Sequence, residues 1–194
     1  MGTEKSKKWY DDAYHANVIK LGATYMKEPE STHYYPMWCK VIQIIKESGY
    51  KAILDLGCGP GQFGKLCLKE SLGYLGWDFS DTAIEMAKKL NPENNFRFKV
   101  CGDLTKMDNI TFPSVVTCLE TLEHIEKDIK VLNSIFCKLL IFSVPNYDYR
   151  SHVRYFPTEK DVIERYGPVV PISDIAVVKT SPNHVIYIVV AKYE

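Results

Sequence analysis

A short apolar strand that ends in an acid and runs straight into closely spaced glycines can fold in few ways. Residues 51–64, K-A-I-L-D-L-G-C-G-P-G-Q-F-G, are such a segment. The apolar run reads as a strand and residues 63–70 as a helix, with Gly57, Gly59 and Gly61 in the turn between them. Glycines there let the backbone take positive φ and pass close to a ligand. Strand, tight turn and helix form the opening unit of an α/β sheet, whose ligands bind beyond the carboxyl ends of the strands.

Two ligand classes compete for this turn. Residues 59–64 satisfy the dinucleotide pattern G-x-G-x-x-G, yet that pattern should begin where the strand ends, at Gly57. In that frame the third glycine position holds Gln62. Pro60 removes a backbone N–H from the loop, and Asp55 sets a carboxylate where a pyrophosphate would lie. Both features suit a cation. S-adenosylmethionine (SAM) carries a sulfonium and an ammonium and no phosphate, so an acid before the glycines attracts it and accepts its hydrogen bonds.

Further landmarks follow at β/α spacing. Residues 72–80 read as a second strand ending in Asp78 and Phe79, the acid being suited to accept from both ribose hydroxyls. Residues 96–104 read as a third strand that reaches Asp103 and Leu104. Residues 114–120 read as a fourth, ending in Glu120 and continuously apolar, as a strand covered on both faces should be. Taken together, residues 50–145 resemble the class I SAM-dependent methyltransferases. The resemblance implies that Asp55, Gly57, Cys58, Gly59, Gly61, Asp78, Phe79, Asp103, Leu104 and Glu120 bind SAM, with Asp103 near the adenine amino group. It also implies a Rossmann-like, mainly parallel seven-stranded α/β sheet with helices on both faces and a C-terminal antiparallel hairpin.

The remaining segments suit that plan. Residues 81–90 read as a helix capped by Ser80 and stopped by Asn91 and Pro92, and residues 125–136 as another. A fifth strand over residues 139–144 breaks at Pro145, and a helix over residues 158–166 opens on Thr158 and Asp161. Strands at 175–179 and 184–191 are joined by a connection too short for a crossover helix, so they pair antiparallel. Residues 1–48 form an N-terminal helical cap ahead of a SAM-binding domain over 49–194, with helices expected at 7–26 and 38–46. Trp9, Tyr10, Tyr14, Tyr25, Tyr34, Tyr35 and Trp38 give this cap two readings: packing on the sheet edge, or a lid over SAM.

The candidate chemistry follows the fourth strand. Glu120, Glu123 and His124 stand at i, i+3 and i+4, one face if the segment is helical, and His152 follows the fifth strand on the same rim. Two carboxylates and two imidazoles make a mixed O/N site for a divalent metal such as Mg. This L-E-H segment is similar to those of the ubiquinone-biosynthesis O-methyltransferases and the small-RNA 2′-O-methyltransferases. In a metal-free reaction His152 is instead the catalytic general base, since imidazole titrates near operating pH.

Composition narrows the partner. The chain has 194 residues, 46% hydrophobic and 25% charged, and 24 basic residues balance 24 acidic ones. That balance gives no electrostatic footprint for a long nucleic-acid track. Six cysteines without a C-x-x-C pair indicate a reduced cytoplasmic protein, and no apolar run is long enough for a membrane span. The expected function is O-methylation of a small hydroxylated acceptor, without nucleic-acid or membrane partners. One alternative is a metal-assisted ribose 2′-O-methyltransferase acting on RNA, which asks for a basic surface at Arg150, Arg154 and Arg165. The other is a non-catalytic SAM-binding protein, which the intact cofactor positions oppose.

Overall fold

The two periodicities of the sequence become strands and helices in chain order. A computed structural model describes residues 2–20 and 24–193. Its first elements are α1 (Lys7–Lys20), α2 (Tyr35–Ser48), β1 (Ala52–Leu56), α3 (Gln62–Lys69), β2 (Gly73–Asp78), α4 (Asp81–Leu90) and β3 (Phe98–Val100). There follow β4 (Ile110–Thr111), β5 (Val115–Cys118), α5 (Asp128–Asn133), β6 (Ile135–Phe136), β7 (Leu139–Pro145), α6 (Glu159–Tyr166), β8 (Ile172–Lys179) and β9 (Val185–Lys192). Seven strands make one sheet in the order β3-β2-β1-β5-β7-β9-β8, and β4 pairs with β6 apart from it. Pairing is parallel from β3 to β7 and antiparallel for β7–β9 and β8–β9. This is the Rossmann-like sheet with a C-terminal hairpin. Strand order reverses between β1 and β5, where ligands of such sheets lie.

Continuous apolar strands are explained by cover on both faces. Ile53, Val115, Leu139 and Ile141 pack with Met37, Val41 and Ile45 of α2 and with Leu66 of α3. The alternate residues Leu54, Val116, Leu140 and Phe142 pack with Val131 and Leu132 of α5 and with Val162 and Tyr166 of α6. Each such buried aliphatic side chain stabilises the fold by about 1.5–3 kcal/mol.

Helix ends follow their caps. Ser80 Oγ accepts from Ala83 N at α4, and Thr158 and Asp161 form a reciprocal capping box at α6. Three expectations need correction. The predicted third strand shortens to Phe98–Val100, because Pro92 opens a 3-10 segment over Pro92–Arg97 and Asp103 caps another over Leu104–Lys106. The helix predicted over 125–136 shortens to α5, since Ile135 and Phe136 leave it to pair with Ile110 and Thr111. The helix predicted over 7–26 runs over Lys7–Lys20; residues 21–23 lie outside the described residues, and Thr24–Met26 is a 3-10 turn.

Two glycines fix the loop after β1. Gly57 has φ +76°, and a Cβ there would stand 2.4 Å from Thr121 Oγ1. Gly61 has φ +78°, and a Cβ there would stand 2.8 Å from both Ala87 Cβ and Phe98 Cε1. The loop is thus wedged between the segment after β5 and helix α4. Helix α1 docks on the start of α4, where Asp11 accepts from Ser80 Oγ and Thr82 N and pairs of opposite charge form between Lys7 and Asp81. Among the described residues no helix is long and apolar enough to cross a membrane.

Candidate active site

A cavity of about 530 Å³ opens at the reversal of strand order. Its floor and walls include Gly57, Asp78, Phe79, Asp103, Leu104 and Glu120, and its roof includes Glu4, Lys7, Tyr10 and Tyr14 from the N-terminal segment. Asp78 accepts from Gly59 N and Ser80 N, each at 2.9 Å, and burial pushes its carboxyl up to about 6. Asp103 is opposed by burial, but bonds from Thr105 N and Oγ1 leave its carboxyl below the usual range. Cys58, Gly59 and Gly61 shape the loop and lie outside this lining. So does Asp55. Its oxygens accept from Tyr74 Oη and Thr117 Oγ1, each at 2.6 Å, and burial pushes its carboxyl up to about 7. Through these bonds Asp55 braces β1 against β2 and β5.

The segment after β5 departs from the expected helical face. Glu120 has φ +49°, left-handed for a residue with a Cβ, which costs about 1–3 kcal/mol unless its surroundings enforce it. Ser143 of β7 enforces it: its hydroxyl accepts from Glu120 N at 2.8 Å and donates to Glu120 Oε1 at 2.9 Å. The next residues form a single 3-10 turn, Leu122–His124. Glu120 and His124 both line the cofactor cavity, and His124 and Glu123 also face His152. Of the four residues expected around a metal, Glu123, His124 and His152 each bring one ligand atom within 4.8 Å of the others.

Proton positions in this cluster follow from its partners. His124 Nδ1 lies 3.0 Å from the Ser151 carbonyl and His152 Nδ1 lies 3.1 Å from the Tyr147 carbonyl. A carbonyl only accepts, so each Nδ1 carries the proton and each Nε2 is left with a lone pair. Burial holds His124 neutral, with its pKa down at about 4, and lowers that of His152 as well. His124 Nε2 stands 3.6 Å from Glu123 Oε1 with no proton to share. Both Glu123 oxygens are buried and accept no hydrogen bond among the described residues. Burial, and then the charge of Glu120, push the Glu123 carboxyl well up. One carboxyl, whose proton burial favours until a cation displaces it, and two imidazole lone pairs thus converge, a donor set that fits a divalent cation.

One group here escaped the sequence. Ser143 gave only a faint signal, a hydroxyl inside an otherwise apolar strand. Tyr10, one of the aromatics with a lid reading, has a buried hydroxyl without a partner among the described residues, and its ring centre lies 6.0 Å from that of His124. The basic surface asked of Arg150, Arg154 and Arg165 is not assembled. Arg154 and Arg165 both turn onto the buried carboxylate of Asp128, and only Arg150 is left exposed, beside Trp9 and Tyr149.

Set against known proteins, residues 54–140 match the methyltransferase domain family. The chain carries a SAM-dependent methyltransferase domain. Over 98 residues it is 40% identical to the mitochondrial ubiquinone biosynthesis O-methyltransferase of Schizosaccharomyces pombe, covering 46% of this chain and 34% of that protein. Over 184 residues it is 28% identical to the small RNA 2′-O-methyltransferase of Arabidopsis thaliana, covering 80% of this chain and 19% of that one. The chain thus spans about a third and about a fifth of the length of these relatives. The methyltransferase domain and its flanks share the fold of magnesium protoporphyrin IX methyltransferase from Synechocystis PCC 6803, solved with bound SAM. The TM-score is 0.73 at 15% identity, covering 97% of each chain.

Proposed function

We propose that the chain is an O-methyltransferase that moves the SAM methyl group to a hydroxyl of a small molecule, assisted by a divalent cation held by Glu123, His124 and His152. The observation that carries this reading is the pair of buried, unpartnered Glu123 oxygens facing two imidazole lone pairs. A general base alone would use His152 but leave that buried carboxyl with no partner among the described residues. A bound cation would supply charge that lowers the pKa of an acceptor hydroxyl.

The chain's own groups account for the rest. Asp78 and Asp103 offer carboxylates to the cofactor, and Glu120 and His124 line the same cavity. The methyl carbon passes in line from sulfur to the acceptor oxygen, the C–S bond breaking as the C–O bond forms, after the acceptor hydroxyl has given its proton to water. Tyr10 and Tyr14 roof the cavity and exclude water from this exchange. A small acceptor is supported by the even charge balance and by the engagement of Arg154 and Arg165 with Asp128.

A second reading, methylation of a terminal ribose of RNA, is favoured by one observation, the alignment of the Arabidopsis small RNA 2′-O-methyltransferase over 80% of this chain. Release of S-adenosylhomocysteine from SAM, assayed with phenols, sugars and a short RNA in the presence of Mn²⁺, separates the two. Turnover with phenols or sugars that stops on adding chelator is the expected result. Turnover only with RNA would establish the second reading. Turnover that survives chelator but falls in His152→Ala would return His152 to the role of general base.

A further inference from the structure

The cluster is assembled from two segments, the turn after β5 that bears Glu123 and His124 and the loop after β7 that bears His152. Three contacts join them. The Ser151 carbonyl accepts from His124 Nδ1, and Val153 N donates to the Glu123 carbonyl at 2.8 Å. The third is a side chain. Arg154 Nη1 donates to the carbonyls of Leu122, at 2.7 Å, and Ile125, while Nη2 donates to that of Glu126 at 3.0 Å. One guanidinium therefore closes over both ends of the turn that presents Glu123 and His124. Asp128 holds it from the far side at 3.2 Å, and Asp128 is itself gripped by Arg165 at 2.6 and 2.8 Å and by Tyr166 Oη at 2.9 Å.

We propose that Arg154 is a positioning residue that sets the separation of His152 from Glu123 and His124, and with it the affinity of the cluster for a divalent cation. The proposal rests on the cation reading above. Its reasons are independent of that reading. Arg154 is two residues from His152, its side chain is only 14% exposed, and its donors are spent on the turn and on Asp128. A planar fork of donors serves several carbonyls at once, which a lysine ammonium on a flexible stem does not reproduce. Loss of such a supporting contact lowers metal affinity about 10- to 100-fold.

The test compares wild type, Arg154→Lys, Arg154→Gln and Arg165→Met by calorimetric titration with Mn²⁺ and, separately, with S-adenosylhomocysteine, together with melting temperature. The expected result is Mn²⁺ affinity at least tenfold weaker in Arg154→Lys, with S-adenosylhomocysteine affinity within twofold of wild type. Arg165→Met, which breaks the other arm of Asp128, should lower the melting temperature without moving Mn²⁺ affinity. Should Arg154→Gln fail to fold, the lysine variant carries the comparison. Wild-type Mn²⁺ affinity in Arg154→Lys would overturn the proposal, as would equal losses of Mn²⁺ affinity in the Arg154 and Arg165 variants. A wild type that binds S-adenosylhomocysteine but no Mn²⁺ would overturn the cation reading and this proposal together.

Discussion

At Glu123 a single carboxylate carries most of the functional argument, and its chemistry can be tested directly. Without a cation burial favours the protonated form of this carboxyl, so Glu123→Gln exchanges one neutral buried group for another and removes a ligand. The ligand-free variant should therefore melt no lower than wild type at pH 7.5, while Mn²⁺ should cease to raise its melting temperature. A thermal-shift series with Mn²⁺ and with chelator checks both halves, and a variant still stabilised by Mn²⁺ would remove Glu123 from the site. Tyr10 allows a cleaner substitution. Tyr10→Phe deletes one oxygen that has no partner among the described residues, so stability should hold within about 0.5 kcal/mol. If that hydroxyl serves the occupant of the cavity, S-adenosylhomocysteine should bind about fivefold more weakly, the loss of one net hydrogen bond. Unchanged affinity by calorimetry would make Tyr10 a packing residue only.

Among the elements, α1 is the one whose attachment is narrow enough to cut. Asp11 joins it to Ser80 and Thr82 at the start of α4, in the manner of a helix cap, so Asp11→Ala should cost about 1 kcal/mol. Because α1 roofs the cavity, the variant should also bind S-adenosylhomocysteine more weakly and be cut faster by protease within Lys7–Lys20. Cutting at the wild-type rate would show that α1 is held by other contacts. Legibility from sequence followed the same division. Strands β1, β5 and β7 were readable because burial on both faces leaves an uninterrupted apolar run, and α4 and α6 because Ser80 and Thr158 announce their caps. The two-residue strands β4 and β6 were not, since so short a pairing has no period. At the site, the glycine turn and Asp78 were readable as local pattern. The left-handed Glu120 was not, because Ser143 of β7, far off in sequence, imposes it. For the same reason the brace that Asp55 makes was not readable: Tyr74 and Thr117 reach it only once the sheet has formed.

For the whole molecule, buried acids give stability a definite pH dependence. Asp55 and Glu120 are raised to about 7 and Asp78 to about 6 by burial. An acid raised in the fold holds its proton more tightly there than in the unfolded chain. Its contribution is complete below the unfolded value, about 4, and is lost as pH climbs through the folded one. His124 and His152, lowered by burial, oppose this trend only below about 6.5, where the unfolded imidazole takes up protons. Between pH 6.5 and about 7.5 the acids act alone. The ligand-free melting temperature should fall over that interval by a few degrees, since 1 kcal/mol moves a domain of this size by about 2–4 °C. A flat or rising curve from calorimetry would contradict the burial of these carboxyls.

The N-terminal segment ties together events that chemistry alone would leave separate. Gly2 N donates to the His152 carbonyl at 3.0 Å and Glu4 accepts from Glu126 N at 2.7 Å, while Tyr10 and Tyr14 cover the cofactor cavity. A strap fastened on the acceptor side but lying over the cofactor cannot lift for one ligand without disturbing the seat of the other. The consequence is that the two halves of the site should respond together: loosening the strap beside His152 is expected to weaken S-adenosylhomocysteine binding as well.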